Sequence, residues 1–370
     1  MKFICAQQEL NARTAIVLKA VPAKTTMSIL QYIYIDAGEE GIRFFANDME
    51  NGIETRVNGT VEETGYVAIE AALFSSIVRT LPDSEVSVSV DENYLVTLDC
   101  EATHFTLPGR SGDDFTFPPE VDKSEAVTLR QATLKSFIAQ TVFSVSTNDA
   151  NRIMTGALLK IEEDECSMTA LDGHRIAMRK TALQAPVESP KKAIISGKTL
   201  LKLRDILSDQ AEKEVDIYFT QKLACFSVSD TLFTTRLIDG EYFDVSQMIS
   251  GDYETKLLVG RRQFLEGIER AMTLSHDGDK KPIILGIQDQ EMEIKVSSTR
   301  GSMNSQVMVT KDGKDILIGF NPKFLTDALR VIEDDNLTIY FVNPKAPCYI
   351  RNEENTYLYM ILPINFKTVE

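Results

Sequence analysis

The chain has 370 residues, 43% of them apolar, with 39 Lys and Arg against 55 Asp and Glu and a net charge of −16 at pH 7. That apolar content excludes a disordered chain and allows two or three domains. A negative charge spread evenly over the surface would exclude a phosphate backbone as partner, so the placement of the cations decides that question.

The first predicted helix lies near residues 9–20. ILQYIYIDAGEEGIRFFAND follows, two alternating runs joined by an acidic turn, which is the pattern of a β-hairpin. A second helix over 71–81 opens ALFSSIVRTLPDSEVSVSVDENYLVTLDCEATHFTLPGRSGDDF, a helix, an acidic turn and alternating strands ending at Phe115. FPPEVDKSE, from Phe117, reads as a linker. The pattern then starts again. In a helix over 130–146, Leu134, Phe137, Ile138, Val142 and Val145 share one face. MTGALLKIEEDECSMTALDG is the next hairpin, and a helix over 197–207 leads into strands ending at Phe243. After a second loop, SQMISGDYET, come a helix over 260–274, the hairpin IILGIQDQEMEIKVSS, a helix over 321–332 and strands ending at Phe366. Helix, strands, helix, strands thus recurs three times. The sequence predicts an α+β chain of three similar domains, 1–122, 123–250 and 251–370, each with two helices packed on antiparallel sheet.

The six helix windows hold thirteen Lys and Arg against five Asp and Glu, a net of +8, so the rest of the chain carries −24. Arg79, Lys198, Lys202, Arg270, Lys323 and Arg330 lie opposite the apolar stripes of their helices. Such polarity lets one side attract a polyanion while the other repels it. No zinc finger, RNP motif or Trp is present, so contact with nucleic acid is expected at the backbone, without base readout.

TALDGHRIAMRK, residues 169–180, sets Asp172, His174 and Arg175 side by side, the residue types of an acid–base site. Asp-Gly at a strand end is equally a hairpin turn signal. His104, His174 and His276 are far apart and have no metal-ligand spacing. SGKT at 196–199 mimics the end of a phosphate-binding loop, but position 192 is Lys where that loop needs Gly. The five Cys, at 5, 100, 166, 225 and 348, form no CxxC pair, which suits a reducing compartment. The start has no signal-peptide core and no run is long enough to span a membrane, so a cytoplasmic protein is expected. The tail YLYMILPINF holds an apolar run in which Pro363 removes a ladder donor, so the strand is expected to be an edge or to end there. An apolar edge would be a docking place for a peptide, and a last core strand is the favoured reading of the run by itself.

Five segments together resemble one family, the bacterial sliding clamps, the β subunits of DNA polymerase III: MKF at the start, LDGHRIA at 171–177, RLIDGEYFD at 236–244, LIGFNPKFLTDAL at 317–329 and YMILPINF at 359–366. The resemblance implies the DNA clamp fold, closed into a head-to-tail homodimeric ring whose helices line a hole for duplex DNA. It implies a processivity factor with no catalytic residue, cofactor or metal. Its partners would be duplex DNA, the replicative polymerase, the clamp loader and other proteins with a clamp-binding motif. The peptide pocket would be Met154, Leu171, Gly173, His174, Arg175, Ile176, Met248, Met360, Leu362, Pro363 and Ile364. Lys24 would join the six helix cations in facing DNA. Phe105, Leu107, Thr273 and Leu274 would lie at the subunit interface. The chain departs from the family with Phe243 where Pro is usual, Asn151 where Arg is common, and no acid in TRGSMNS at 299–305. An altered pocket and a less ionic interface are expected.

Overall fold

The computed structural model describes residues 1–148, 150–274 and 282–366. Among them six α-helices form: α1 (Gln7–Val17), α2 (Ala71–Thr80), α3 (Gln131–Thr141), α4 (Gly197–Arg204), α5 (Arg261–Met272) and α6 (Pro322–Val331). Five fall inside their predicted windows, and α1 starts two residues ahead of its window. The windows over 9–20 and 130–146 overran because α1 and α3 tighten into 3₁₀ turns at Leu18–Ala20 and Val142–Ser144.

Local chemistry sets the helix starts. At α2 the Glu70 carboxylate accepts the Ala72 and Leu73 N–H groups at 3.2 and 2.8 Å. At α6 the Asn321 side chain accepts the Lys323 N–H at 3.0 Å, and Pro322 enters where no donor is needed. Spacing sets the buried stripes: Phe264, Gly267, Ile268 and Ala271 on α5, and Leu325, Ala328 and Leu329 on α6. Gly267 lets α5 sit close to the sheet, since a Cβ there would lie 2.6 Å from Ile294 Cδ1.

The described residues divide into two compact units, and the middle repeat is shared between them. The first comprises Met1–Leu134 and Lys202–Leu237, the second Lys135–Leu201 and Ile238–Glu370.

In the first unit, one antiparallel sheet of 13 strands crosses the repeat boundary. Strand Thr231–Arg236 pairs with Asn51–Val57, setting Phe233 opposite Ile53. Strand Thr103–Arg110 bonds along one side to Leu95–Cys100, with Phe105 opposite Leu98. Among the described residues its other side is engaged only at Gly109 and Arg110. Helices α1 and α2 pack together over a core in which Phe44 meets Phe3 and Phe74 edge-on, at 6.5 and 6.2 Å.

In the second unit, a 12-stranded sheet crosses the other boundary. Strand Arg175–Ala182 pairs with Tyr357–Ile361, setting Ala177 opposite Tyr359 and Ile176 opposite Met360. The long strand Gly301–Gly313 bonds to Glu291–Ser298 over residues 301–308, with Met303 opposite Val296. It meets Thr255–Gly260 only from Val309 onward. Helices α5 and α6 pack together over Leu257, Ile294, Ile318, Phe320 and Phe341.

The carboxyl-terminal strand decides between the two readings of the tail in favour of a core strand that ends before Pro363. Tyr357–Ile361 is interior to its sheet, bonded also to Cys348–Arg351, and ends two residues before Pro363. Pro363 therefore stops a central strand and marks no open edge.

Candidate functional site

Strands Glu165–Leu171 and Arg175–Ala182 meet at a tight turn, with Leu171 opposite Ile176 and the Asp172 N–H donating to the Arg175 carbonyl at 3.4 Å. Gly173 takes the left-handed φ of +88° that such turns require. The Asp172 carboxylate accepts the His174 and Arg175 N–H groups at 3.0 and 3.2 Å and Arg175 Nε at 3.0 Å. The guanidinium of Arg175, 7% exposed, also donates to Asp327 of α6 at 2.7 Å and to the Phe143 carbonyl at 2.6 Å. Its plane lies over the rings of Phe324 and Phe143, at 4.5 and 5.4 Å. Asp172 thus caps a turn and holds an arginine. The exposed His174 ring stands beside Phe324, at 6.0 Å. A carboxylate orienting an imidazole, the core of a hydrolytic triad, is not formed by this pair.

Around the turn lies an apolar cluster of Leu171, Ile176, Val245, Tyr349 and Met360, with Met154, Tyr242, Ile249 and Leu362 packed against it. Five predicted pocket residues therefore come together: Met154, Leu171, Ile176, Met360 and Leu362. Gly173 and His174 form the turn at its border, and the His174 carbonyl accepts the Leu362 N–H at 2.9 Å. Met248 projects beyond the cluster, 48% exposed, and its carbonyl accepts the Tyr349 hydroxyl at 3.1 Å. Pro363 and Ile364 are not among the clustered side chains, and the Ile364 N–H bonds away to the Gly319 carbonyl at 2.8 Å. Arg175 is a correction, since its guanidinium is buried, donates to Asp172, Asp327 and the Phe143 carbonyl and lies against the Phe143 and Phe324 rings, and so does not line an open wall.

Sequence reading missed Tyr242, Val245, Ile249 and Tyr349. Tyr242 lies inside a quoted segment but reads as loop. Its hydroxyl donates to the Gly156 carbonyl at 3.1 Å, and burial pushes its phenol well above the usual range. Tyr349 lies in a strand with no motif, and only tertiary pairing reveals it. Of the departures, Phe243 is exposed with its ring 6.3 Å from Tyr242, and the Asn151 carbonyl accepts the Met154 N–H at 3.1 Å.

The seven predicted DNA-facing cations fall into two classes. Lys24, Arg79 and Lys198 are exposed and make no ion pair among the described residues. Among the described residues, exposed Arg270 reaches only the Ser305 hydroxyl, at 3.3 Å. Lys323 and Arg330 are exposed but matched, to Asp327 at 3.0 Å and Glu269 at 2.8 Å. Lys202 is the correction: part-buried, it bonds at 2.6 Å to Asp48, whose carboxylate caps the turn before Asn51–Val57. Its charge is used inside the fold.

The predicted interface residues also separate. Phe105 is half-buried, whereas Leu107 is 3% exposed. The two share the inner face of their strand, and Leu107 is the one that its own chain covers fully. Thr273 closes α5, its hydroxyl donating to the Arg270 carbonyl at 2.7 Å. Half-buried Leu274 lies near the open strand, its Cδ2 3.9 Å from where a Cβ on Gly301 would stand.

All five Cys are free and buried. Desolvation pushes the thiols of Cys5, Cys166 and Cys348 up to about 12. Among the described residues no three His, Cys, Asp or Glu side chains are placed to hold a metal ion. No described helix is long and apolar enough to cross a membrane. His276 lies outside the described residues.

Three consecutive segments match one family: residues 1–119 the N-terminal domain of the DNA polymerase III beta subunit, 128–244 its central domain and 246–365 its C-terminal domain. The chain is 33% identical to the beta sliding clamp of Bacillus subtilis (strain 168), over 98% of this chain and 99% of that protein. It is also 33% identical to the beta sliding clamp of Staphylococcus aureus, over 94% of each. Among solved structures it resembles the Bacillus subtilis DNA polymerase sliding clamp, with a TM-score of 0.95, 32% identity, and 99% of this chain and 100% of that chain covered.

Proposed function

The chain belongs to the bacterial sliding clamp family, the DNA polymerase III beta subunits, which are non-catalytic processivity factors, and from that membership we propose how its surfaces are used. The clamp has three domains, and we place their boundaries after residues 122 and 250. It catalyses no reaction and acts in the cytoplasm on duplex DNA, tethering the replicative polymerase and other partners. Retention by encirclement needs no sequence readout, and a tethered polymerase rebinds at high effective concentration.

The open strand sides carry the assembly reading. At both internal boundaries the last strand of one repeat pairs with the fourth strand of its neighbour. A core-facing aromatic then sits opposite a core-facing aliphatic: Phe233 opposite Ile53, and Tyr359 opposite Ala177. The same two positions in the remaining strands are Phe105, opposite Leu98, and Met303, opposite Val296. Among the described residues, 103–108 and 301–308 each lack a strand partner on one side. Two copies joined head to tail satisfy both edges, with Phe105 of one facing Met303 of the other. Isolated edges of this kind are a liability, and closure removes them. Leu274 and Thr273 then stand beside the junction.

Lys24, Arg79, Lys198 and Arg270 are the cations available to phosphates, with Lys323 and Arg330 able to exchange an acid for one. The cluster around Leu171, Ile176 and Met360 receives apolar side chains of partner peptides, and its Met walls adapt to varied ligands. A loading experiment tests the clamp reading. Protein loaded by a clamp loader onto nicked circular DNA should co-elute with it and be lost when the DNA is linearised. Equal retention on both forms would overturn encirclement.

A further inference from the structure

Asp327 stands on α6, apart from the apolar cluster, yet hydrogen bonds lead from its carboxylate into the turn that borders it. Oδ2 accepts one Arg175 amino group at 2.7 Å. The same guanidinium is held by Asp172 through Nε at 3.0 Å and by the Phe143 carbonyl at 2.6 Å, and it lies against the rings of Phe143 and Phe324. Three acceptors on three sides of a planar group leave it one orientation. Asp172, so oriented, caps the N–H groups of His174 and Arg175, and the His174 carbonyl fixes Leu362 through its N–H at 2.9 Å. Leu362 belongs to the cluster.

We propose that Asp327 is a positioning residue for the peptide pocket, acting through Arg175 to hold the Gly173–His174 turn in register with Leu362. The proposal rests on the pocket reading above and extends it to a residue outside the cluster. Asp327 is 15% exposed, and without its charge the buried guanidinium keeps one carboxylate where it now has two. A buried charge that loses an acceptor moves toward another, and the turn follows it. Supporting residues of this kind set the precision of a site they do not touch.

The test uses the full chain and a fluorescein-labelled peptide carrying the clamp-binding segment of a bacterial DNA polymerase III catalytic subunit, read by anisotropy. Asp327→Asn keeps the shape and removes the charge, and should weaken binding by about tenfold, one charge-assisted hydrogen bond lost from a supporting shell. Asp327→Glu restores the charge and should recover most of the affinity. Glu269→Gln makes the same change of formal charge on α5 and should bind as wild type. Hydrogen exchange at the Leu362 amide should accelerate in Asp327→Asn more than at other core amides, which a general loss of stability would not produce. Should Asp327→Asn fail to fold, Asp327→Ser makes the same neutral substitution with a smaller side chain. Wild-type affinity and unchanged Leu362 exchange in a folded neutral variant would overturn the proposal. Absence of peptide binding by the wild-type chain would refute the pocket reading instead.

Discussion

Phe105→Ala is the sharpest perturbation of the proposed junction between copies. Phe105 and Met303 are each half-buried in the single chain, and pairing of residues 103–108 with 301–308 would cover what remains. Truncating a buried Phe to Ala removes about 2 kcal/mol of apolar stabilisation. A closed pair of copies contains the junction twice, so each dimer loses about 4 kcal/mol, or about a thousandfold in Kd. Sedimentation velocity over a dilution series reads this directly, as a monomer boundary at concentrations where the wild type is dimeric. Met303→Ala should act in the same direction, and the double variant should fall short of the summed effects, because the proposed register brings the two side chains together. Leu107→Ala should behave differently. Its side chain already lies in its own core, so it should lower the melting temperature by a cavity effect. Wild-type dimerisation by Phe105→Ala, or loss of the dimer only with Leu107→Ala, would refute the register.

Lys198→Glu and Arg79→Glu should each weaken DNA binding and flatten its dependence on salt by about one counterion, measured by titration of log K against log salt. Lys202→Glu should instead destabilise the fold, because it sets a second carboxylate against Asp48, and thermal melting separates the two outcomes. Gly173→Ala should cost about 1–2 kcal/mol, all of it from the left-handed backbone, since a Cβ there meets nothing within 4 Å, and Gly173→Asn should cost less. Stability should be unaffected by the thiols below pH 9 and then fall toward pH 12, because the unfolded thiols ionise at the ordinary 9.0 while Cys5, Cys166 and Cys348 are held up to about 12. Urea titrations of wild type and Cys348→Ala across that window should differ in slope by up to about 1.4 kcal/mol per pH unit. A thiol that reacts with a disulfide reagent in the native state at pH 8 would contradict this.

The repeat, the helices and the hairpins were legible because they rest on local signals: spacing along a helix, alternation along a strand, and Gly or acidic residues at turns. The apolar core residues Leu134, Phe137, Ile138 and Val142 followed from spacing alone. What failed was whatever depends on a distant partner. Lys202 looked like a free cation because Asp48 is 154 positions away. The tail left edge and core strand both open because nothing in YLYMILPINF announces the strand Arg175–Ala182 beside it. Arg175 was found by motif, but its role needed Asp327 and Phe143, which no local pattern ties to it. Tyr349 and Val245 join the pocket by pairing and loop placement, and neither leaves a mark in the sequence.

The turn-to-helix ion pairs at the two internal boundaries differ in sign. In one, an acid on the turn, Asp48, meets a base at the sixth residue of α4, Lys202. In the other, a base on the turn, Arg175, meets an acid at the sixth residue of α6, Asp327. Exchanging the second helices of the middle and third repeats would set acid against acid and base against base. The similar repeats thus carry different addresses, and a chimera with its repeats shuffled should misassemble even where every hydrophobic contact is preserved. The sixth residue of α2 carries no address, being Ser76, whose hydroxyl bonds back to Ala72 at 2.8 Å. Two seams of the ring are riveted and the third is only buttoned, so a ring forced to part around DNA should part between copies.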